Sequence, residues 1–347
     1  MTAKSTILIV GGTGAQGAVI TKILSQTNKY SILVFTRSTT SAHAQELAAL
    51  PNVELVLSKT DAGYDLDAFY ETAKRADSVF VNTDGFALGE MAETFWGIRL
   101  FETSARAGVK HLIYSGLDSN GKASGYDPEL YVGHYEGKAR VQEWIKAQGT
   151  NNSMAWTILR SGPYADILHE ALRPRFTPDG TAVFALPIGD EGEIPFVSLE
   201  DFGRYVEWAL SHRDEANGQD IGLAIEFASL SKLAASYTAA TGKPATWKSI
   251  PAKDWNDVAW ANLPNQGATK VEYMSISDPK ALNLTYAQNF THWFNLYKSR
   301  ILKRDFDLLD RILPDRDSSI EAWMKRVGYT GEPKTVLRST QTPGRAE

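Results

Sequence analysis

The chain has 347 residues, 43% of them hydrophobic and 22% charged, with a formal net charge of −5 and no cysteine. This composition suits a folded protein with one large α/β core or two shared lobes, and it excludes bulk disorder. The acidic balance argues against a nucleic-acid surface or an anchor on acidic membranes. The missing cysteines remove disulfides, thiolate metal sites and cysteine nucleophiles.

Thr6–Val10 reads as a fully buried parallel strand, and it runs straight into Gly11-Gly12-Thr13-Gly14-Ala15-Gln16-Gly17. Ala18, Val19, Ile20, Ile23 and Leu24 then follow at helical spacing. A strand, a G-x-x-G-x-x-G turn and a helix present free backbone N–H groups to a pyrophosphate, so Gly11, Thr13, Gly14, Ala15, Gln16 and Gly17 are expected to bind a dinucleotide. Ser31–Phe35 is the second strand, and Thr36-Arg37-Ser38 follows it. A site for the unphosphorylated nucleotide usually carries Asp or Glu there, but neither occurs between Gly11 and Gln45. Arg37, flanked by the hydroxyls of Thr36 and Ser38, suits a 2′-phosphate instead. Such a contact is worth roughly 1.5–3 kcal/mol, or about a 10- to 150-fold preference for NADP(H).

The alternation continues with a helix over 42–50, a strand over 53–57, a helix over 66–75 and a strand over 78–82 ending in Thr83-Asp84-Gly85. A long helix over 91–107, a strand over 111–115, a polar loop over 116–125, a helix over 134–148 and a strand over 156–159 complete a doubly wound pattern. Beyond Arg160 the rhythm changes. A short strand over 196–199, a helix from Glu200, a further strand over 221–227 and one amphipathic helix over 286–311 are predicted. Trp247, Trp255 and Trp260 are read mainly as packing. The expected organisation is an NADP-binding Rossmann domain over 1–160, its mostly parallel sheet completed near 194–227. A smaller substrate-binding lobe over 161–330 interleaves with it, and a mobile tail covers 331–347.

Reactive groups in such folds lie past the ends of the fourth and fifth strands and on the next helix. The candidates are Thr83, Asp84 and Phe86; Ser115, Gly116 and Asp118; and Tyr131, His134, Tyr135 and Lys138. At about 100° per residue, Lys138 and His134 share a side with apolar Val141 and Ile145, and Tyr131 joins them if the helix already runs there. A lysine on a buried face needs a partner, which ribose hydroxyls would supply. The six histidines show no metal-ligand spacing, so no metal is expected. No apolar stretch approaches the roughly 18–20 residues of a membrane span, and a cytoplasmic protein is expected, with the nucleus open.

Ile-Val-Gly-Gly-Thr-Gly-Ala-Gln-Gly at 9–17, Phe-Thr-Arg at 35–37, Val-Phe-Val-Asn-Thr-Asp at 79–84 and Ala-Gly-Val-Lys-His-Leu-Ile-Tyr-Ser at 107–115 together resemble the NmrA-like family, an atypical branch of the short-chain dehydrogenases/reductases. His-Tyr-Glu-Gly-Lys at 134–138, Leu-Arg-Ser-Gly-Pro-Tyr at 159–164 and Phe-Val-Ser-Leu-Glu-Asp-Phe-Gly at 196–203 extend the resemblance over roughly residues 5–330. It implies NADP(H) in the glycine turn and at Arg37, Thr83 and Lys138 near the nicotinamide ribose, and Pro163-Tyr164 along its ring. The usual Y-x-x-x-K acid–base pair is replaced here by His134-x-x-x-Lys138. The family includes reductases and quinone oxidoreductases as well as non-catalytic redox sensors that bind transcription factors. Two functions are therefore carried: an NADPH-dependent reductase of a carbonyl, imine or quinone, and an NADPH/NADP sensor acting on a protein partner. In the first, the proton source is left open among Lys138, His134, Tyr131, Tyr164 and water.

Overall fold

β1 (Ser5–Val10), whose last four residues are fully buried, turns through the glycines into α1 (Ala15–Thr27) and returns as β2 (Tyr30–Thr36). The computed structural model describes residues 4–60, 63–261 and 284–337. The alternation goes on through α2 (Ala42–Ala48), β3 (Val53–Leu57), α3 (Leu66–Ala73), β4 (Ser78–Val81), the single turn α4 (Gly85–Leu88), α5 (Glu90–Arg106) and β5 (His111–Gly116). A short α6 (Asn120–Ser124) lies within the stretch expected to be a polar loop, and α7 (Gly133–Ala147) leads into β6 (Ala155–Arg160).

Alternate residues of each central strand face opposite layers, as the pleat requires. Ile7, Ile9, Ile32 and Val34 pack on one side with α1 and with Phe202, Tyr205 and Val206. Leu8, Val10, Leu33 and Phe35 pack on the other with Phe69, Leu100, Val141 and Ile145. The sheet order is β10-β6-β5-β4-β1-β2-β3, with β10 (Gln219–Gly222) at the far edge, and all six pairings are parallel. The strand order reverses between β1 and β4, and crevices at such a switch point hold ligands in open α/β sheets.

After β6 the chain builds a second layer of structure from β7 (Arg175–Phe176), β8 (Ala182–Leu186) and β9 (Ile194–Pro195), then sends α8 (Leu199–Ser211) and α9 (Arg213–Ala216) back to the central sheet ahead of β10. β11 (Phe227–Ala228), α10 (Leu230–Thr241), β12 (Ala245–Ser249), α11 (Ala252–Ala259), α12 (Tyr286–Ser299), α13 (Phe306–Ile312) and α14 (Ile320–Val327) complete it. β8 pairs with β7 and β12, and β9 pairs with β11.

Several expectations for the second half need correction. Only Gln219–Gly222 joins the main sheet, because Phe227 turns to pair with Pro195 of β9. The segment 196–199 is no strand: Val197 makes a single bridge to Tyr164, and Ser198 already caps α8 by accepting from the Asp201 N–H. The helix expected over 286–311 breaks at Arg300, which adopts φ +56°, the left-handed region, and the chain then runs without helix or strand past Arg304 to α13. The segment 331–337 is docked. His169 Nδ1 bonds to the Glu332 carbonyl at 2.9 Å, and the Val336 and Leu337 N–H groups donate to Glu170. Residues 338–347 of the expected tail lie outside the described residues. Among the described residues no helix is long and apolar enough to cross a membrane, and no His/Asp/Glu group is placed to hold a metal.

Candidate functional site

The turn after β1 is closed by contacts that leave no room for side chains. Gly11 has φ +74°, and a Cβ there would stand 2.6 Å from the Asn82 carbonyl oxygen at the end of β4. A Cβ on Gly17 would meet the Gly11 carbonyl at 2.3 Å and the Gly12 Cα at 2.5 Å. The Gly14 N–H donates to Gly11 O (3.0 Å), and α1 begins with Gly14 as its N-cap, with no side-chain cap and no acidic residue in its first turn. The first N–H groups of the helix, from Ala15 to Gly17, therefore keep the positive end of the helix dipole open to an anion. A nucleotide diphosphate fits this cradle.

At the end of β2, Arg37 is exposed and forms no ion pair among the described residues. Ser38 turns inward on its own loop, where its hydroxyl accepts from the Ser41 N–H (3.2 Å) and its own N–H donates to Thr36 Oγ1 (3.3 Å). Thr13 lies half-buried in the turn. The side chains of Gln16 and Ser115 are occupied with each other: Ser115 Oγ donates to Gln16 Oε1 at 2.7 Å, both buried. They stitch the glycine turn to the end of β5. Tyr164 sits half-buried beside Gln16, burial holding its phenol well above the ordinary range, and the Pro163 carbonyl accepts from the Val197 N–H. Asp84 caps α4, accepting from the N–H groups of Phe86 and Ala87 at 3.2 Å each.

Lys138 holds the densest polar cluster. Its ammonium donates to the Thr83 carbonyl (2.7 Å), Thr83 Oγ1 (3.0 Å) and Asn82 Oδ1 (3.2 Å), and it pairs with Glu93 Oε1 at 3.0 Å. Thr83 Oγ1 in turn donates to that same Glu93 oxygen at 2.7 Å. Glu93 is completely buried. Burial pushes its carboxyl above the ordinary range, while Lys138 and Thr83 pull it back. Gly85 and Gly137 make room for it, since a Cβ on either would lie 2.5 or 2.8 Å from Glu93 Oε2. Glu93 was not singled out from the sequence. The signal was there: it sits at i, i+4, i+7 and i+8 with Gly97, Leu100 and Phe101 on the inward face of α5, where a carboxylate requires a partner.

His134 and Tyr131 part company. Gly133 opens α7 after Val132, and Tyr131 lies before it in extended backbone, at the end of the turn Pro128–Leu130. Its hydroxyl bonds to Glu90, which also takes the Arg140 guanidinium, so Tyr131 does not share the azimuth of Lys138. Tyr135 also turns away, bonding Tyr297 Oη at 2.7 Å inside the C-terminal lobe. His134 remains, one turn before Lys138 and buried against the rings of Phe86 (4.7 Å) and Phe290 (5.7 Å), which also meet each other at 6.2 Å. Its Nδ1 lies 2.8 Å from Asn289 Nδ2, contributed by α12, another residue the sequence did not announce.

Burial holds His134 at about 4, helped by the Lys138 charge, and burial likewise holds His111 at about 4. An unfolded histidine takes its proton near pH 6.5, whereas these take theirs only near 4. Stability is therefore lost as pH falls through that window, by about 3 kcal/mol per histidine. His111→Gln keeps a donor for Thr157 and is expected to flatten the loss between pH 7 and 4.5 by about that amount in urea unfolding. Parallel curves for variant and wild type would show that His111 titrates normally.

The parallel sheet reversing at β1/β4, with the glycine cradle and the polar cluster at its carboxyl edge, defines a Rossmann-type α/β protein. Comparison with known proteins agrees and is more specific. The sequence pattern of the NmrA-like family matches residues 3–293, and the chain belongs to that family. It is 26% identical over 351 residues to the NmrA-like family domain-containing oxidoreductase malD of Malbranchea aurantiaca, covering 94% of this chain and 97% of that one. It is 28% identical to the oxidoreductase himF of Aspergillus japonicus, over 70% and 75% of the respective chains. Among solved structures, NmrA, a negative transcriptional regulator in complex with NADP, matches with a TM-score of 0.70 at 21% identity, over 93% of this chain and 95% of that one. An NADPH-dependent quinone oxidoreductase of Escherichia coli, complexed with NADPH, matches at 0.67 and 19% identity, over 93% and 99%. Likeness at these identities concerns the fold.

Proposed function

We propose that the protein is an NADP(H)-dependent reductase acting on a carbonyl, imine or quinone. The observation that carries this reading is the placement of three elements along one carboxyl edge of the sheet: the glycine cradle, the exposed Arg37 and the buried Lys138 ammonium. The turn from Gly11 to Gly17 would hold the diphosphate, and Arg37, with the Ser38 hydroxyl beside it, the 2′-phosphate. Thr83 and Lys138 would lie at the nicotinamide ribose, and Pro163-Tyr164 along the ring. When bound, the dinucleotide supplies a hydride for an electrophilic carbon. This chain's residues supply orientation and polarity. The three hydrogens of Lys138 are already shared among four acceptors, so a ribose hydroxyl would take the place of one of them, and the longest is the contact to Asn82. The relatives named as oxidoreductases support the reading.

One feature favours a second reading, a sensor of the NADPH/NADP ratio acting on a protein partner. Neither Tyr131 nor Tyr135 offers a hydroxyl beside Lys138, and one structural neighbour is a transcriptional regulator. The two separate cleanly. Oxidation of NADPH followed at 340 nm against quinones, aldehydes and imines supports the reductase if any substrate class turns over. Calorimetry with all four nicotinamide forms, showing binding without turnover across the panel, supports the sensor.

Arg37→Ala is expected to weaken NADP(H) binding about 10- to 150-fold while moving NAD(H) by less than about threefold, because only the phosphorylated form loses a charge-assisted contact. Equal losses for both forms would place Arg37 outside the site.

A further inference from the structure

We infer that His134 presents a neutral imidazole carrying its hydrogen on Nε2, and that Asn289, reaching in from the C-terminal lobe, sets this tautomer as a positioning residue. His134 is thereby a hydrogen-bond donor in the cleft rather than a base. The inference deepens the reductase reading, on which its catalytic meaning rests.

The hydrogen-bond directions around Asn289 fix the tautomer. The Gly133 N–H donates to Asn289 Oδ1 at 3.0 Å, and a backbone N–H can only donate, so this contact fixes which end of the Asn289 amide is oxygen. The other end, Nδ2, therefore faces His134 Nδ1 at 2.8 Å and must donate to it. An Nδ1 that accepts carries no hydrogen, and a neutral ring then carries it on Nε2. The assembly is rigid. Asn289 is completely buried in α12, and the imidazole packs against Phe86 of α4 and Phe290 of α12, with ring planes tilted by 31° and 23°, in a triangle the two phenyl rings close at 6.2 Å. Nε2 has no partner among the described residues, and it is not one of the sealed, unpaired buried atoms. It is the open polar atom of the ring, one helical turn from the Lys138 cluster.

The charges around the ring agree. Lys138 lies on the same helix and opposes a second positive charge. Glu90 of α5 stands by Gly133, where a Cβ would lie 3.2 Å from its Oε2, but it is engaged by Tyr131 and Arg140. Asp84 is spent on the cap of α4, and His292 of α12 has its Nδ1 on the Tyr131 carbonyl at 2.9 Å. None of these faces Nδ1 as an acceptor. A neutral Nε2–H aimed at an oxygen or nitrogen that gains negative charge as hydride arrives stabilises that charge without reorganising. The role asked of His134 is a hydrogen bond, and no bond at the ring breaks.

The test is nitrogen NMR on the full chain labelled with 15N-histidine, between pH 5 and 8.5, with the His134 signals assigned by their loss in His134→Gln. The expected result is an unprotonated Nδ1 and a protonated Nε2 throughout, with no titration in that range. Asn289→Asp keeps an acceptor for the Gly133 N–H but offers His134 Nδ1 an acceptor too. It should move the hydrogen to Nδ1 and bring the ring's titration up into the measured range. A wild-type ring protonated at Nδ1, or one titrating near 6.5, overturns the proposal, and the wild-type spectrum decides this even if Asn289→Asp fails to fold. Once a substrate is in hand, Asn289→Asp and His134→Ala should each lower kcat/KM about 100-fold with the KM for NADPH little changed, and His134→Gln, which restores a donor, should recover part of it. The expected tautomer without turnover of any substrate would leave this inference standing and remove the reductase reading.

Discussion

Lys138→Met is expected to cost about 3–5 kcal/mol of folding stability, because it strands the fully buried Glu93 carboxylate without its cation. On the reductase reading it also abolishes turnover. The loss should depend on pH in a defined direction. Without Lys138, only the Thr83 hydroxyl is left to offset burial, and the folded pKa of Glu93 rises further above the unfolded value near 4.5. Below that value both states are protonated and the penalty is small; as pH rises through it, the unfolded chain ionises first and the variant loses stability. Urea unfolding at pH 4.5 and 7.5 reads this directly. The double variant Lys138→Met/Glu93→Leu removes both charges and should regain most of the stability, since a buried ion pair exchanged for apolar side chains is often neutral or better. It should regain no activity. Activity restored in the double variant would show that Lys138 serves the fold alone. A Lys138→Met protein as stable as wild type would show that Glu93 is protonated already.

The parts of this cluster that could be read from the sequence were those with a local signature. The glycine turn, the run of strands and helices to β6, and the burial of His134 and Lys138 all follow from periodicity within ten or so residues. Such signals survive folding because each is satisfied by its own segment and the layer directly beneath it. Glu93 and Asn289 are different. Glu93 meets Lys138 across 45 positions and Asn289 meets His134 across 155, and nothing near either residue in sequence names its partner. Tyr131 shows the converse. Its place on a helical projection was sound only while the helix reached it, and Gly133 with the extended Tyr131–Val132 backbone moved the start of α7 past it. In the second half, strands of two residues, such as Ile194–Pro195 and Phe227–Ala228, are too short to show any period, and a left-handed Arg300 divides a helix whose amphipathic pattern continues across the break.

Asp118→Ala is expected to destabilise the protein by about 3–5 kcal/mol. Asp118 follows β5 at the edge where reactive groups are expected, and its carboxylate is engaged by two arginines. Its Oδ1 accepts from Arg160 and from Arg304 Nη1 (3.1 Å), and its Oδ2 accepts from Arg304 Nη2 (2.7 Å). The Arg304 side chain is fully buried and comes from the connection between α12 and α13, so the carboxylate clasps the C-terminal lobe to the central sheet. The two arginines are not equivalent. Arg160 keeps Asp220 at 2.6 Å when Asp118 is removed, whereas Arg304 keeps only the carbonyls of Leu223 and Lys303. Asp118→Ala should therefore cost clearly more than Arg304→Met, which leaves Asp118 paired with Arg160. Low exposure also means that salt screens the clasp weakly, so the deficit should persist at high ionic strength, unlike that of an exposed pair. Thermal unfolding of the two variants checks the order, and limited proteolysis between α12 and α13 checks the location. NADP(H) affinity should stay within about threefold of wild type, since the glycine turn and Arg37 do not touch this clasp. Equal costs for the two variants, or a cost under about 1 kcal/mol, would mean that water already shares the burden of those guanidinium groups and that the lobes are held by apolar packing alone.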